Sequence, residues 1–389
     1  MRHRHGLALL LALAACGGGD GGGSGDVSVV PGPAPSPSTS PTTTPSPAPP
    51  TVAVTRTNVA TLSNPWAMVF LPDGRMLVTE RGGRLRLITT AGQVSTVEGT
   101  PAVVTAGQGG LLDVALDPAF ATNRLIYLSF AEAGPGGSGL AVARGTLDAD
   151  STALSGVQTI WRQAPKIAND TRHFGGRMAF APDATLYVTA GERHQGSPAQ
   201  DPTGTLGKII RINRDGTIPP DNPLVGTPNA RAEIWSLGHR NPYGLVFAGD
   251  GRLFESEMGP DGGDEFNLVT RGRNYGWRIV SEGNDGETLP RHATRPDFAA
   301  PLVTWTPVIA PGGMIQYTGT RFVGWNGDLV LAGLTAQALV RVRVTGSSAS
   351  EVARVALQSR IREVEQGLDG ALWVLEDGAT GRLVRLDPA

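Results

Sequence analysis

Beyond the first few residues, the imidazoles available for proton transfer near neutral pH are His173, His194, His239 and His292. Two of them sit in phrases dense with polar residues and glycine, Arg172-His-Phe-Gly-Gly-Arg177 and Gly238-His-Arg-Asn-Pro-Tyr-Gly244, each just ahead of an apolar stretch. Comparable phrases recur at Gly107-Gln-Gly-Gly-Leu-Leu112, Glu257-Met-Gly-Pro-Asp-Gly-Gly-Asp-Glu265, Asn274-Tyr-Gly-Trp277, Trp305-Thr-Pro-Val-Ile-Ala-Pro311 and Arg360-Ile-Arg362. Arg360 and Arg362 alternate with Ile361, so a strand here points both guanidiniums to one face, as paired forks for carboxylates.

Other chemistries are missing from the chain. There is no Gly-x-Ser-x-Gly elbow, no His-Glu-x-x-His helix and no Cys-x-x-Cys pair. Gly134-Pro-Gly-Gly-Ser-Gly139 has dinucleotide-loop spacing but lies between two strand-like runs, which makes it a hairpin loop. A net charge of −2, with no basic stripe interleaved with aromatics, excludes a nucleic-acid partner.

The elements that must hold these phrases form a repeat. Ala67-Met-Val-Phe-Leu-Pro-Asp-Gly-Arg-Met-Leu-Val-Thr79 returns as Met178–Thr189, Gly244–Phe254 and Val364–Leu375. Looser copies are Val114–Pro118 with Leu125–Ser129, and Gly327–Ala332 with Leu339–Val342. Each copy reads as two strands of period two around a tight turn, and third strands such as Gly82–Ile88 and Lys208–Ile212 follow. No stretch sustains a helical period. Self-similar units spaced by roughly 40–60 residues predict an all-β, six-bladed β-propeller whose polar loops gather at one mouth of a central channel. Strands at 55–61 and 382–387 are expected to complete one blade from both chain ends.

Propellers host lactonases, phosphotriesterases, quinoenzymes and binding modules, so the fold alone does not name the chemistry. The mouth phrases resemble, in the same order from about Asn64 to Asp387, those of the soluble pyrroloquinoline quinone (PQQ)-dependent glucose and aldose sugar dehydrogenases. Gly-Gln-Gly-Gly-Leu-Leu, Gly-His-Arg-Asn-Pro and Gly-Pro followed by Gly-Gly-Asp-Glu are jointly specific, and Pro198-Ala-Gln-Asp201, Lys208-Ile-Ile-Arg211 and Ile218-Pro-Pro-Asp-Asn-Pro223 look more like the aldose branch.

The resemblance implies oxidation of an aldose at its anomeric carbon to a lactone, with PQQ and Ca2+ as cofactors and electrons passed to an unknown acceptor. It implies His173 as general base and Arg240 as the cation that stabilises the reduced quinone. Gln108, Arg240, Asn241, Trp305, Thr335, Arg360 and Arg362 are the implied cofactor contacts. Carbonyls of Gly259 and Pro260 are implied for the active-site calcium, and Glu265 with Tyr275 for a second, structural one.

Three positions depart from the family pattern. Thr335 stands where the family has a quinone-contacting lysine, which implies weaker cofactor binding. Glu282-Gly-Asn-Asp-Gly286 lacks a tyrosine found in aldose relatives, and Arg172 replaces an aspartate that precedes the base in glucose enzymes. Two other readings remain beside this one: a calcium-dependent propeller lactonase or phosphotriesterase, and a non-catalytic surface-binding propeller.

The first residues read as an address. Met1–His5 is basic, Leu7–Ala15 is apolar but too short to span a bilayer, and Leu13-Ala-Ala-Cys16 ends in the chain's one cysteine. The pattern resembles a bacterial lipoprotein signal at residues 1–15, with Cys16 as the lipidated residue. Gly17 after it favours the outer membrane, facing the periplasm. Residues 16–51 follow as a Gly/Pro/Ser/Thr-rich linker. Its Pro31–Pro50 portion spans roughly 60 Å if extended at about 3.1 Å per residue. The propeller is expected over 52–389, without disulfides.

Overall fold

In the computed structural model, which describes residues 51–389, the repeated aspartate phrase closes the same turn each time. The Leu71 N–H donates to the Arg75 carbonyl at 2.7 Å, while the Asp73 carboxylate accepts the Arg75 N–H at 3.0 Å. Asp183, Asp250 and Asp369 cap equivalent turns from their own side chains. The residue after each aspartate is left-handed, which explains glycine at 74, 251 and 370; Ala184 carries the strain in the fourth.

Each turn joins the first two strands of a four-stranded antiparallel sheet, and six such sheets make the propeller. The innermost strands are Pro65–Phe70, Leu111–Leu116, Gly175–Phe180, Pro242–Phe247, Pro311–Gln316 and Ile361–Gln366. Each packs against the next and the last against the first, which closes the ring. Val54–Leu62 pairs antiparallel with Gly381–Pro388, so the sixth blade takes its outer strand from the opposite chain end, as expected. Thr51 and Val52 already pair with Arg354, so the propeller begins at the last residue assigned to the linker. The signal segment, Cys16 and the linker up to residue 50 lie outside the described residues.

One repeat copy sits a strand later than its sequence suggests. Gly327–Ala332 and Leu339–Val342 fall on the second and third strands of the fifth blade, Leu329–Gly333 and Ala338–Thr345. Its innermost strand starts Pro311-Gly-Gly, which breaks the apolar pattern. Among the described residues helix is confined to the turn Phe120–Asn123 and two 3-10 turns, and Gly134–Gly139 lies in the expected hairpin.

All six innermost strands carry a register shift near their first residues. Such bulges re-aim side chains that plain alternation would bury between blades. Trp66, Asp113, Arg177, Tyr243 and Arg362 all lie in these bulges. The bulges therefore turn a repetitive scaffold into a site.

Candidate active site

His173 immediately precedes the third innermost strand, in a left-handed conformation with φ 51°. Its N–H donates to Gln108 Oε1 at 2.7 Å, and Gln108 in turn donates its own N–H to the Thr171 carbonyl at 2.8 Å. Its ring Nδ1 faces Glu192, which is buried and also accepts the Gly196 N–H. The Glu192 N–H donates to the Arg240 carbonyl at 2.9 Å, which ties the His173 loop to the Gly238–Gly244 loop. Burial lowers the His173 pKa below its ordinary value; the Glu192 hydrogen bond opposes this, and the Arg240 charge reinforces it.

Four of the expected cofactor residues line one cavity of about 150 Å3: Gln108, Thr335, Arg360 and Arg362. Trp66, Arg81, Tyr243 and Met258 share its wall. Arg360 and Arg362 both reach Asp377, at 3.0 Å each, so two guanidiniums share one carboxylate. Tyr243 reaches Gln108 Oε1 at 3.4 Å and lies under the Arg362 guanidinium. Asn241 is buried beside them, its Oδ1 accepting the Gly175 N–H at a long 3.4 Å.

Arg240 runs over the Trp277 ring and donates from Nη1 to the carbonyls of Met258 at 2.9 Å and Gly259 at 3.0 Å. Its buried Nε has no partner among the described residues. Gly259 and Pro260 follow the strand Leu253–Glu257 in a turn held by Asp264, which accepts the Gly259 N–H at 2.8 Å. Glu265 and Tyr275 line a small pocket with Glu257 and Arg240. Burial, then the Glu257 charge, pushes the Glu265 carboxyl well above the ordinary carboxylate range. Glu255 Oε2 and Asn267 Oδ1, close by, are buried without partners among the described residues. Buried, underpaired oxygens of this kind suit a hard cation.

His239 belongs to that acidic group and not to the cavity. Its Nε2 meets Ser236 Oγ at 2.8 Å, and its Nδ1 lies 3.6 and 3.5 Å from Glu255 and Glu257. Burial opposes its charge, but the two carboxylates outweigh burial and push it up to about 9.

Trp305 is a correction to the expected set. It ends the outer strand of the fourth blade, its ring buried with Phe266, Ile309 and Met314, and its indole donates to Glu351 of the fifth blade at 2.8 Å. It joins two blades and does not line the cavity. Arg172 is paired with Asp170 at the surface, and the same carboxylate accepts from His194, whose ring packs edge-on against His173. A carboxylate thus stands near the base after all, at Asp170 and not at position 172. At the centre of the ring Asp113 and Glu363 are both bonded to Arg177, so two acids share one buried cation.

A family model described as Glucose / Sorbosone dehydrogenase matches residues 62–385. The chain belongs to the glucose/sorbosone dehydrogenase family. Aldose sugar dehydrogenase YliI of Escherichia coli is 38% identical over 337 residues, covering 84% of this chain and 91% of that protein. A solved structure of the soluble aldose sugar dehydrogenase from Escherichia coli in the apo-form matches with a TM-score of 0.83 and 36% identity, over 87% of this chain and 100% of that one. The PQQ-bound aldose sugar dehydrogenase of Streptomyces coelicolor matches with a TM-score of 0.71 and 29% identity, over 87% of this chain and 99% of that one.

Within this glucose/sorbosone dehydrogenase site, sequence reasoning did not single out Glu192, Glu257, Arg81, Trp66 or Tyr243. Glu257 opens a phrase already marked as a mouth loop, and its position before Gly-Pro was a usable signal. Glu192 follows Ala190-Gly191 at the end of a clear strand, yet nothing local pairs it with a histidine 19 residues earlier.

Proposed function

We propose that this chain oxidises aldose sugars at the anomeric carbon to lactones, using PQQ and calcium and handing electrons to an acceptor outside the chain. The observation that carries the reading is one cavity walled by Arg81, Arg360, Arg362 and Gln108, with Gln108 bonded to the backbone of His173. A planar, oxygen-rich anion fits such walls, because the guanidinium forks would meet its carboxylates. When bound, the quinone supplies the two-electron sink for the hydrogen leaving the sugar.

The protein's own residues do the rest. Glu192 accepts Nδ1–H of His173, which leaves Nε2 free to take the proton of the anomeric hydroxyl. Its carboxylate then stabilises the imidazolium. Arg240 contributes a fixed positive charge where the reduced cofactor gains a negative one. Asn241 adds a neutral donor and acceptor, and Thr335 a hydroxyl. Gly259 and Pro260 offer carbonyls to a calcium ion at the cofactor, while Glu265 and Tyr275 belong to a second, structural calcium site.

The test is to mix the protein with saturating quinone and calcium and follow reduction of an artificial dye across a panel of aldoses. Lactone formation on several sugars is expected; absence of turnover on all of them would leave only a binding role. The Leu13-Ala-Ala-Cys16 phrase and the linker behind it support export and a lipid anchor on Cys16 in the outer membrane. Full-length protein should then fractionate with membranes, whereas a chain starting at Thr51 should not.

A further inference from the structure

Thr335 lines the cavity where a cation was expected, but the first blade brings to the same cavity a guanidinium that forms no salt bridge among the described residues. Arg81 follows the second strand of the first blade, Met76–Glu80. Its backbone is fixed at both ends: its N–H donates to the Asn64 carbonyl at 3.0 Å, and its carbonyl accepts the Leu111 N–H at 3.2 Å. The loop carrying Gln108 lies directly against it. A Cβ on Gly110 would fall 2.2 Å from the Arg81 carbonyl oxygen, so only glycine permits this approach.

That loop also aims the side chain. Arg81 donates from Nε to the Gly109 carbonyl at 3.2 Å and from Nη2 to the Gly107 carbonyl, while Nη1 has no partner among the described residues. Unlike Arg360 and Arg362, which share Asp377, Arg81 forms no salt bridge among the described residues. Three guanidiniums and one carboxylate leave the cavity with surplus positive charge, and the unneutralised member is Arg81. Burial, then the Arg362 charge, holds its pKa below the ordinary arginine value, as expected of a half-buried cation beside another cation.

We infer that Arg81 binds a carboxylate of the anionic cofactor and supplies, from the first blade, the positive charge that Thr335 does not supply from the fifth. The inference rests on the quinone reading proposed above. It revises the expectation of weak binding: the charge is relocated, not lost. A charge-assisted hydrogen bond of this kind is worth about 10- to 150-fold in affinity.

The test is equilibrium titration of the folded, calcium-loaded protein with quinone, read by quenching of tryptophan fluorescence, with apo melting temperature as a second readout. Arg81→Met should weaken binding by at least about 10-fold. Thr335→Lys should recover most of the affinity lost in Arg81→Met and tighten the wild type by a smaller factor. That recovery separates charge from loop damage, because a lysine in the fifth blade cannot repair the Gly107–Gly110 loop. Arg81→Met binding like wild type, or Thr335→Lys tightening both backgrounds equally, overturns the inference while the quinone reading stands. Should Arg81→Met not fold, Arg81→Gln is the alternative: it removes the charge but keeps hydrogen-bond donors for the loop carbonyls, and binding at least about 10-fold weaker than wild type is required. Wild-type protein that binds no quinone overturns the reading and the inference together.

Discussion

The Glu192 carboxylate lies 2.5 Å from Nδ1 of His173, and both groups are buried. A carboxylate at that nitrogen selects one tautomer, with the proton on Nδ1 and the lone pair on Nε2. The same loop is pinned through Gly196 and the Arg240 carbonyl, so the imidazole and the Arg240 backbone keep a fixed relation. His239, the other histidine in a mouth phrase, has the opposite character. Its Nε2 is taken by Ser236, and two carboxylates keep it protonated near neutral pH. It does not line the cavity.

Replacing the base should therefore separate binding from turnover. His173→Ala is expected to lower kcat by about 10²–10⁴-fold, with quinone affinity changed little. Glu192→Gln, which keeps an acceptor for Nδ1–H but removes the charge, should cost about 10-fold. Single-turnover reduction of the cofactor by sugar checks both; wild-type rates in His173→Ala would remove the base assignment.

The pH dependence follows from the direction of the His173 shift. A pKa below the ordinary 6.5 means the neutral, proton-accepting form already dominates at pH 6.5. The acid limb of the activity profile should be centred below pH 6.5. In Glu192→Gln one upward influence on that pKa is gone, so the acid limb should move lower still. An acid limb centred above 7 would assign the titrating base to another group.

Arg240 and the expected calcium turn meet at one atom, since Arg240 Nη1 donates to the Gly259 carbonyl. That oxygen cannot serve a calcium ion and the guanidinium together without one moving. Arg240→Met should thus lose about 10²–10³-fold in turnover, as for loss of a charge-stabilising donor, without losing calcium affinity. Isothermal titration of calcium into both proteins gives the comparison. A parallel drop in calcium affinity would make Arg240 a brace for the turn.

The parts of this molecule legible in its sequence are those encoded locally. The aspartate turn recurs because one side chain caps its own backbone two residues on, and the strand pair on either side follows from period two. The mouth loops were legible because they fall at a constant phase of that repeat. The bulges were not: they shift Trp66, Tyr243 and Arg362 off simple alternation at the strand ends where the site is built. Trp305 failed for a related reason, because its loop phrase lies at the mouth while its ring turns into the seam between two blades. Glu192 and Arg81 depend on neighbours brought in by ring closure, and no spacing along the chain announces them.

Lys208 lies in a strand that the sequence marked clearly, but its role is set by what folds over it. It is fully buried, and Nζ donates to the carbonyls of Pro198 at 2.9 Å, Ala199 at 2.9 Å and Leu206 at 2.6 Å. Three acceptors around one ammonium match its three donors. The loop so held carries the site: Gly238 donates its N–H to the Ala199 carbonyl and His239 to the Gly207 carbonyl, just ahead of Arg240. Lys208→Met leaves the Leu206 carbonyl without a partner and slackens the other two, which offsets the saving from no longer burying a charge. We expect a loss of about 2 kcal/mol in stability, seen as a lower urea midpoint at unchanged slope. Turnover should fall several-fold with quinone affinity nearly intact, because Arg240 loses its support while the cavity walls do not. Lys208→Arg should not restore either property, since a planar fork cannot point at three carbonyls around a single nitrogen. Wild-type stability in Lys208→Met would show that the loop is held by its backbone bonds alone.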